Sequence, residues 1–225
     1  MVPEVVGSNP IIRPRKSYKK MFNIYITRHG QDQDNAAGLL NGHRNTPLTD
    51  LGIKQANELA VNIKDSDIIF DHIFTSPLIR ASKTAEIISN IIDGPQPVVL
   101  NDLIERDFGI MTGLHLNNIE ELCGPNIIKA DIITYFLNPQ GAETYPETLQ
   151  RAHKLLSNLK DKYGNGNILL VTHGDFGKMI YCSYYDLEWT EVLTQFHFGN
   201  SELLLLSDKS SPKDTHVFKV KQHNR

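Results

Sequence analysis

Four short stretches gather side chains able to do chemistry: Thr27-Arg28-His29-Gly30, Ser76-Pro77-Leu78-Ile79-Arg80, Glu105-Arg106 and Thr172-His173-Gly174. An imidazole can attack as a nucleophile or exchange a proton near neutral pH. A guanidinium keeps its charge at any working pH and offers a planar fork to the oxygens of an anion, which a lysine grips less well. A carboxyl in a desolvated pocket can act as a general acid. Taken singly, Arg28 and His29 are a polar strand end, Arg80 a solvated helix residue, Glu105 a surface partner of Arg106, and His173 a core histidine. Convergence of all four stretches would place two histidines, two arginines and a carboxylate around one anionic group.

Convergence depends on the elements that carry them. Residues 23–27 alternate Ile24 and Ile26 about Tyr25 and read as a strand, followed by a polar, Gly-containing segment over 30–47. Thr49 is a good N-cap, and Leu51, Ala56, Leu59, Ala60 and Ile63 recur at helical spacing, so a helix is expected to about residue 64. A second strand is expected at 72–75. Ser76 and Pro77 then open a helix with Leu78, Ala81, Ala85, Ile88 and Ile92 on one stripe. Residues 98–100 fit a third strand, and 117–137 predict one or two helices broken near Gly124 and Pro125, inserted over one edge. Residues 147–163 are helical by pattern, Gly164 stops them, 168–172 form a strand, and another helix follows from Phe176. Residues 202–206 and 215–220 are expected as an antiparallel pair or meander at the sheet margin. This alternation predicts a single-domain α/β protein, a three-layer α/β/α sandwich with a mostly parallel central sheet. In such a sheet ligands bind outside the carboxyl ends of the strands, where the four stretches fall.

The bulk numbers agree and narrow the partners. The 225 residues fit one domain, and 40% apolar with 22% charged residues describes an ordinary folded chain. A formal charge of −3 argues against nucleic acid as a partner, which would call for a strongly basic face, so an anionic ligand needs a local cluster. No apolar run approaches the roughly 20 residues of a membrane helix, and two distant cysteines, Cys123 and Cys182, suit a reduced, cytoplasmic setting without a membrane partner. Residues 1–20 carry Pro3, Pro10, Pro14 and a basic group without periodicity; they read as a disordered, non-native extension, with 21–225 as the folded domain and Met21 as the natural start. Gly7-Ser8-Asn9-Pro10 is what a typical transfer-RNA arm would encode if read through in frame.

In order along the chain, Arg28-His29-Gly30, Asn35, Pro47-Leu48-Thr49 through Gly52 to Gln55-Ala56, Ser76-Pro77 with Arg80 and Thr84-Ala85, Glu105-Arg106 with Phe108-Gly109, and Val171-Thr172-His173-Gly174 resemble the histidine phosphatase superfamily. The likeness covers nearly everything after residue 21, and its branch is that of phosphoglycerate mutase-like and fructose-bisphosphatase-like enzymes. It implies hydrolysis of a small phosphomonoester, of sugar phosphate or phosphoglycerate type, by a histidine acid-type phosphatase working through phosphohistidine. His29 is similar to the family nucleophile, Glu105 to its general acid, and His173 to its second histidine. Arg28, Arg80, Asn35 and the Gly174 N–H are similar to its phosphoryl-binding donors, which suits the need of a transferring phosphoryl group for positive charge and donors around its oxygens. Asn41, Gly42 and His43 are further pocket candidates, and residues 141–147 resemble a loop at its entrance.

No metal and no cofactor is implied, the ligand is a small phosphorylated metabolite, and oligomeric state stays open. Two rivals accompany this expectation: a mutase returning the phosphoryl group to a second substrate oxygen, and an inactive member that binds a phosphorylated ligand. The compact stretch between Glu105 and Gly141 resembles the phosphatases more than the longer mutases. One departure stands at Gln31-Asp32, where many relatives carry Glu and then Thr or Ser; it bears on pocket polarity and substrate choice.

Overall fold

A computed structural model describes residues 22–131 and 133–218. The first apolar run forms β1 (Phe22–Arg28), and the polar segment after it turns through a short helix, α1 (Gln33–Ala37), before α2 (Asp50–Asp65). Thr49 caps α2 by accepting from the Gly52 N–H. Then come β2 (His72–Thr75), α3 (Ile79–Ile92) and β3 (Val98–Val99). Short 3-10 turns lead to α4 (Ile119–Cys123) and a hairpin of β4 (Ile127–Lys129) and β5 (Thr134–Phe136). The chain continues through α5 (Tyr145–Tyr163), β6 (Gly166–Thr172), α6 (Gly174–Tyr185), α7 (Trp189–Gln195) and β7 (Leu203–Leu206).

The main sheet has the order β3-β2-β6-β1-β7, parallel except for β7, which runs antiparallel to β1. Successive strand side chains point to opposite faces, so each central strand feeds two cores. Ile24, Ile26, Ile168 and Leu170 join Leu155 and Leu159 of α5 and Phe176, Met179 and Ile180 of α6. Tyr25, Leu169 and Val171 join Leu59, Ala60 and Ile63 of α2 and Ala81, Ala85 and Ile88 of α3. The fold is the three-layer α/β/α sandwich with a mostly parallel sheet that the periodicities predict. A third cluster of Leu40, Phe108, Met111, Ile119, Cys123 and Phe136 lies under the β4–β5 hairpin. Among the described residues no helix is long and apolar enough to cross a membrane.

Several expected boundaries move. Among the described residues, 117–137 hold the end of a 3-10 turn, the turn-and-a-half of α4 that stops at Gly124 as expected, and in place of a second helix the strands of the hairpin; Ile127, Ile128, Thr134, Tyr135 and Phe136 are β-branched or aromatic, which suits a pleated, half-buried surface. α3 starts at Ile79 because Leu78 is still extended, and β3 is confined to Val98 and Val99. α5 starts at Tyr145, two residues early, because Thr144 and Glu147 cap each other reciprocally. α6 starts at Gly174, directly after His173. Residues 215–217 do run antiparallel to β7, but only as an isolated bridge, and 219–220 lie outside the described residues, as does the expected tail of 1–20.

The loop after β1 is clamped to α2 and α3 rather than left to itself. Gln55 accepts from the Gln31 N–H at 2.8 Å and Thr84 from the Gly30 N–H at 3.1 Å. The backbones of Gly30, Gln31 and Gly52 approach so closely that a Cβ on Gly52 would collide with the Gln31 carbonyl oxygen. Gly52→Ala is therefore expected to destabilise the fold by about 1–3 kcal/mol, the usual range for forced overpacking. A lowered urea midpoint at unchanged m-value would show it; an unshifted midpoint would mean that the loop yields freely.

Candidate active site

Parallel pairing aligns Arg28 with Thr172, so the next residues of the two strands, His29 and His173, leave the sheet side by side. Their ring centroids are 5.1 Å apart, and both rings are buried. His29 Nδ1 lies 2.6 Å from the Gly30 carbonyl oxygen, an acceptor, so the hydrogen of a neutral ring sits on Nδ1 and the lone pair on Nε2. Arg80 Nε donates to that Nε2 at 3.2 Å. His173 Nε2 meets Ser76 Oγ at 2.7 Å, whereas its Nδ1 is buried without a hydrogen bond within the described protein. Both imidazoles are held well below the ordinary histidine range: burial acts first, followed by Arg80 and Arg28 for His29, and by Arg80, His29 and Arg28 for His173.

Arg80 projects from the first turn of α3 and is fully buried. Its Nη1 and Nη2 donate to the carbonyls of Arg44 (2.6 Å) and Gly42 (2.9 Å), and its Nε pairs with Asp32 at 3.2 Å. Arg28, at the end of β1, donates from Nη1 to the Phe198 carbonyl at 3.2 Å; its Nε is buried without a partner in the described protein. Its guanidinium lies beside Gly174, the first residue of α6, where a Cβ would sit 3.6 Å from Arg28 Cζ.

Glu105 is 6% exposed, so it is not the surface partner of Arg106 that a bland reading would make it. Its Oε1 accepts from the N–H groups of Arg106 and Phe176, both at 2.9 Å, and its Oε2 from Asp175 N–H at 3.2 Å. Two of these donors belong to the first turn of α6, where free amides and the helix dipole favour an anion. Burial nonetheless raises the Glu105 carboxyl, aided by the neighbouring Asp175 carboxylate and opposed by the amides and Arg80. Arg106 turns instead to Asp175, 2.9 Å away, with its guanidinium over the rings of Phe136 and Tyr145 at 4.4 Å and of Phe108 at 4.9 Å.

A cavity of about 500 Å³ opens here, with Arg28, Asn35, Asn41, Glu105 and Gly174 in its wall. His29, Arg80 and His173 are buried at the carboxyl ends of the strands and do not line it directly. Asn35 sits in α1, where its Oδ1 is reached by the side chain of Asn200 at 3.4 Å, and Asn200 also donates to the His29 carbonyl at 2.8 Å. Gly42 serves through its carbonyl on Arg80, and His43 through a contact of 2.8 Å with the Glu105 carbonyl.

Asp32 is the main residue whose role sequence reasoning missed. It caps α1, accepts from Asn41 Nδ2 at 2.5 Å, pairs with Arg80 and lies 4.0 Å from His29 Nδ1 while fully buried. Burial raises its carboxyl, with the Asn35 amide, Arg80 and Arg28 acting against that shift. Its departure from the usual residue was the available signal; its depth was not.

Two imidazoles leave the carboxyl ends of adjacent parallel strands with the guanidiniums of Arg28 and Arg80 beside them, an arrangement suited to an anionic group. A model of the histidine phosphatase superfamily (branch 1) matches residues 24–215, and the chain belongs to that superfamily. The histidine acid-type class is a different one, so that narrower expectation is replaced by the general one of a phosphatase or mutase. The chain is 30% identical over 159 residues to a 2,3-bisphosphoglycerate-dependent phosphoglycerate mutase of Rhizobium etli, covering 69% of this chain and 76% of the relative. Over 156 residues it is 32% identical to the mutase of the same name from Allorhizobium ampelinum, covering 68% and 74%. Among solved structures it is similar to phosphoserine phosphatase of Entamoeba histolytica in complex with 3-phosphoglyceric acid, with TM-score 0.66, 27% identity and coverage of 82% and 90%. It also shares its fold with a mycobacterial glucosyl-3-phosphoglycerate phosphatase, with TM-score 0.70, 23% identity and coverage of 82% and 90%.

Two buried imidazoles with lowered native affinity for protons leave a mark on stability. Below the ordinary histidine value of 6.5 the unfolded chain takes up protons at residues 29 and 173 that the folded chain refuses. Their contribution is whole above that pH and is lost as pH falls, by at most about 1.4 kcal/mol per pH unit for each ring. His173→Asn should remove one of the two and flatten the dependence of the urea midpoint between pH 7.5 and 5. A profile parallel to that of the parent would show that the ring takes up its proton in the fold as readily as in the unfolded chain.

Proposed function

We propose that the chain hydrolyses a small phosphomonoester, of sugar phosphate or phosphoglycerate type, through a phosphohistidine formed on His29 Nε2. The observation that carries this reading is the Gly30 carbonyl on Nδ1, which puts the ring's lone pair on Nε2; Arg80 Nε, which holds that lone pair at 3.2 Å, passes to the phosphoryl oxygens as the ester binds and frees it to attack. The lone pair attacks phosphorus as the ester P–O bond breaks, and Glu105, in its protonated form, gives its proton to the leaving oxygen. Water then attacks the phosphohistidine while Glu105 takes back a proton, the P–N bond breaks, and inorganic phosphate departs. Arg28 and Arg80 balance the charge on the phosphoryl oxygens. With Ser76 donating to its Nε2, a neutral His173 carries its hydrogen on Nδ1, the atom without a protein partner, and offers it to a phosphoryl oxygen. The Gly174 N–H and Asn35 are further donors in this reading.

The mutases among the relatives favour a second reading, in which the phosphoryl group returns to another oxygen of the substrate. A cytoplasmic setting belongs to the proposal as well, since Cys123 and Cys182 are both buried free thiols.

Assays with 3-phosphoglycerate and fructose bisphosphates, reading both phosphate release and isomerisation, separate the two. Hydrolysis should dominate, and His29→Ala should lower it on the order of a thousandfold or more and abolish an acid-labile, alkali-stable phosphoenzyme. A phosphoenzyme surviving in His29→Ala would overturn the assignment. Because the first step needs Glu105 protonated and its carboxyl is shifted upward, turnover of alkyl phosphates should fall as pH rises through that raised value. Glu105→Gln should lose that alkaline limb and about 10²- to 10⁴-fold in kcat/KM, which reads the phosphorylation step alone, on alkyl esters, but far less on p-nitrophenyl phosphate, whose leaving group needs no proton. Equal losses on both substrates would remove Glu105 from the acid role.

A further inference from the structure

The cavity extends beyond the phosphoryl end. Its wall also includes Ile133, Thr134 and Tyr135 of the hairpin, Phe198, and Lys178 of α6. Lys178 is 3% exposed, too deep to carry its ammonium to solvent along an apolar stem. Its Nζ donates to the Tyr135 hydroxyl and lies 4.6 Å from the centre of that ring, and no carboxylate pairs with it among the described residues. A buried ammonium without a counter-ion is expensive, and such groups are as a rule paired or engaged by a ligand. Burial lowers Lys178 to about 8; Asp175, Glu105 and Glu202 act against that shift, and Arg28 adds to it. The group thus still carries charge at neutral pH. The Tyr135 phenol is raised by its own burial and remains a donor.

Position says what this cation is for. Lys178 follows Gly174 by four residues, one turn along the same face of α6, or about 6 Å. Helical side chains lean toward the N-terminus, so the lysine stem folds back over the first turn of α6, toward Arg28 and Gly174. We propose that Lys178 and Tyr135 form a second anion subsite, so that the preferred substrate is a phosphomonoester carrying another acidic group, carboxylate or phosphate, a few carbon atoms from the ester. This rests on the phosphatase reading for the placement of the first phosphoryl group and adds the part of the substrate that the reacting residues do not touch.

Calorimetric binding to His29→Ala, which cannot turn substrate over by the proposed route, tests it with two matched pairs. 3-Phosphoglycerate against glycerol 3-phosphate reads a carboxylate, and fructose 1,6-bisphosphate against fructose 6-phosphate reads a phosphate. In at least one pair the more acidic member should bind on the order of 10- to 100-fold tighter, the range of a charge-assisted hydrogen bond. Adding Lys178→Met should cut that preference to within about twofold, Lys178→Arg should restore part of it, and Tyr135→Phe should weaken it less. Without any substitution at residue 178, the same preference should fade as pH rises past about 8, where the ammonium is lost. That measurement stands even if a variant fails to fold, which thermal melting of each variant checks. Equal binding within both pairs, no binding of any member, or equal loss of both members in Lys178→Met overturns the subsite. An intact preference in a protein that releases no phosphate would instead sink the hydrolytic reading alone.

Discussion

The parallel pairing of β1 with β6 is the constraint on which the site depends, because the register that sets Arg28 opposite Thr172 also delivers the two imidazoles to the same edge. A slip of one residue would turn every β1 side chain to the other face, sending Ile24 and Ile26 toward α2 and α3 and Tyr25 toward α5 and α6. The two cores therefore police the register that the chemistry uses. Both strands are seven residues long and lie inside the sheet, and their apolar residues, alternating in β1 and continuous in β6, fill the two cores.

Around this axis burial sets the proton affinity of the imidazoles and of two carboxyls. Deep burial, followed by two guanidiniums, holds His29 and His173 well below the ordinary histidine range and favours the neutral ring, the state in which an imidazole nitrogen can attack or donate as the reading requires. The same burial pushes Glu105 and Asp32 upward. Asp32 is a cost that Arg80 and Asn41 partly offset: it orients Arg80 and caps α1 while placing a carboxylate beneath a site meant for an anion.

Much of this was legible in the amino-acid order. The strand periodicities, the caps at Thr49 and the glycines after both histidines are local signals, and the resemblance tied them to Arg28, His29, Arg80, Glu105 and His173. The roles of Gln55 and Thr84 became clear only in three dimensions, as clamps on the amides of Gln31 and Gly30. Residues 117–137 misled because short apolar runs suit a helix or a strand alike, and the outcome was set by packing onto Phe108 and Leu40, far apart in the chain. Lys178 and Asp32 were missed for a related reason, since burial of a polar residue depends on which elements close over it.

Arg106 joins three parts of the molecule at one planar cation. Its Nε holds Asp175 of α6, its Nη1 and Nη2 reach the carbonyls of Glu143 and Phe136, and its faces meet rings from β5 and α5. The hairpin is thus moored to the frame at Phe136, and Tyr135 adds a second hold through its ring edge-on to Tyr145 and its hydroxyl on Lys178. The hairpin that lines the cavity therefore cannot shift without disturbing the same cation that grips α6, so the outline of the hollow is tied to the helix whose amides hold Glu105.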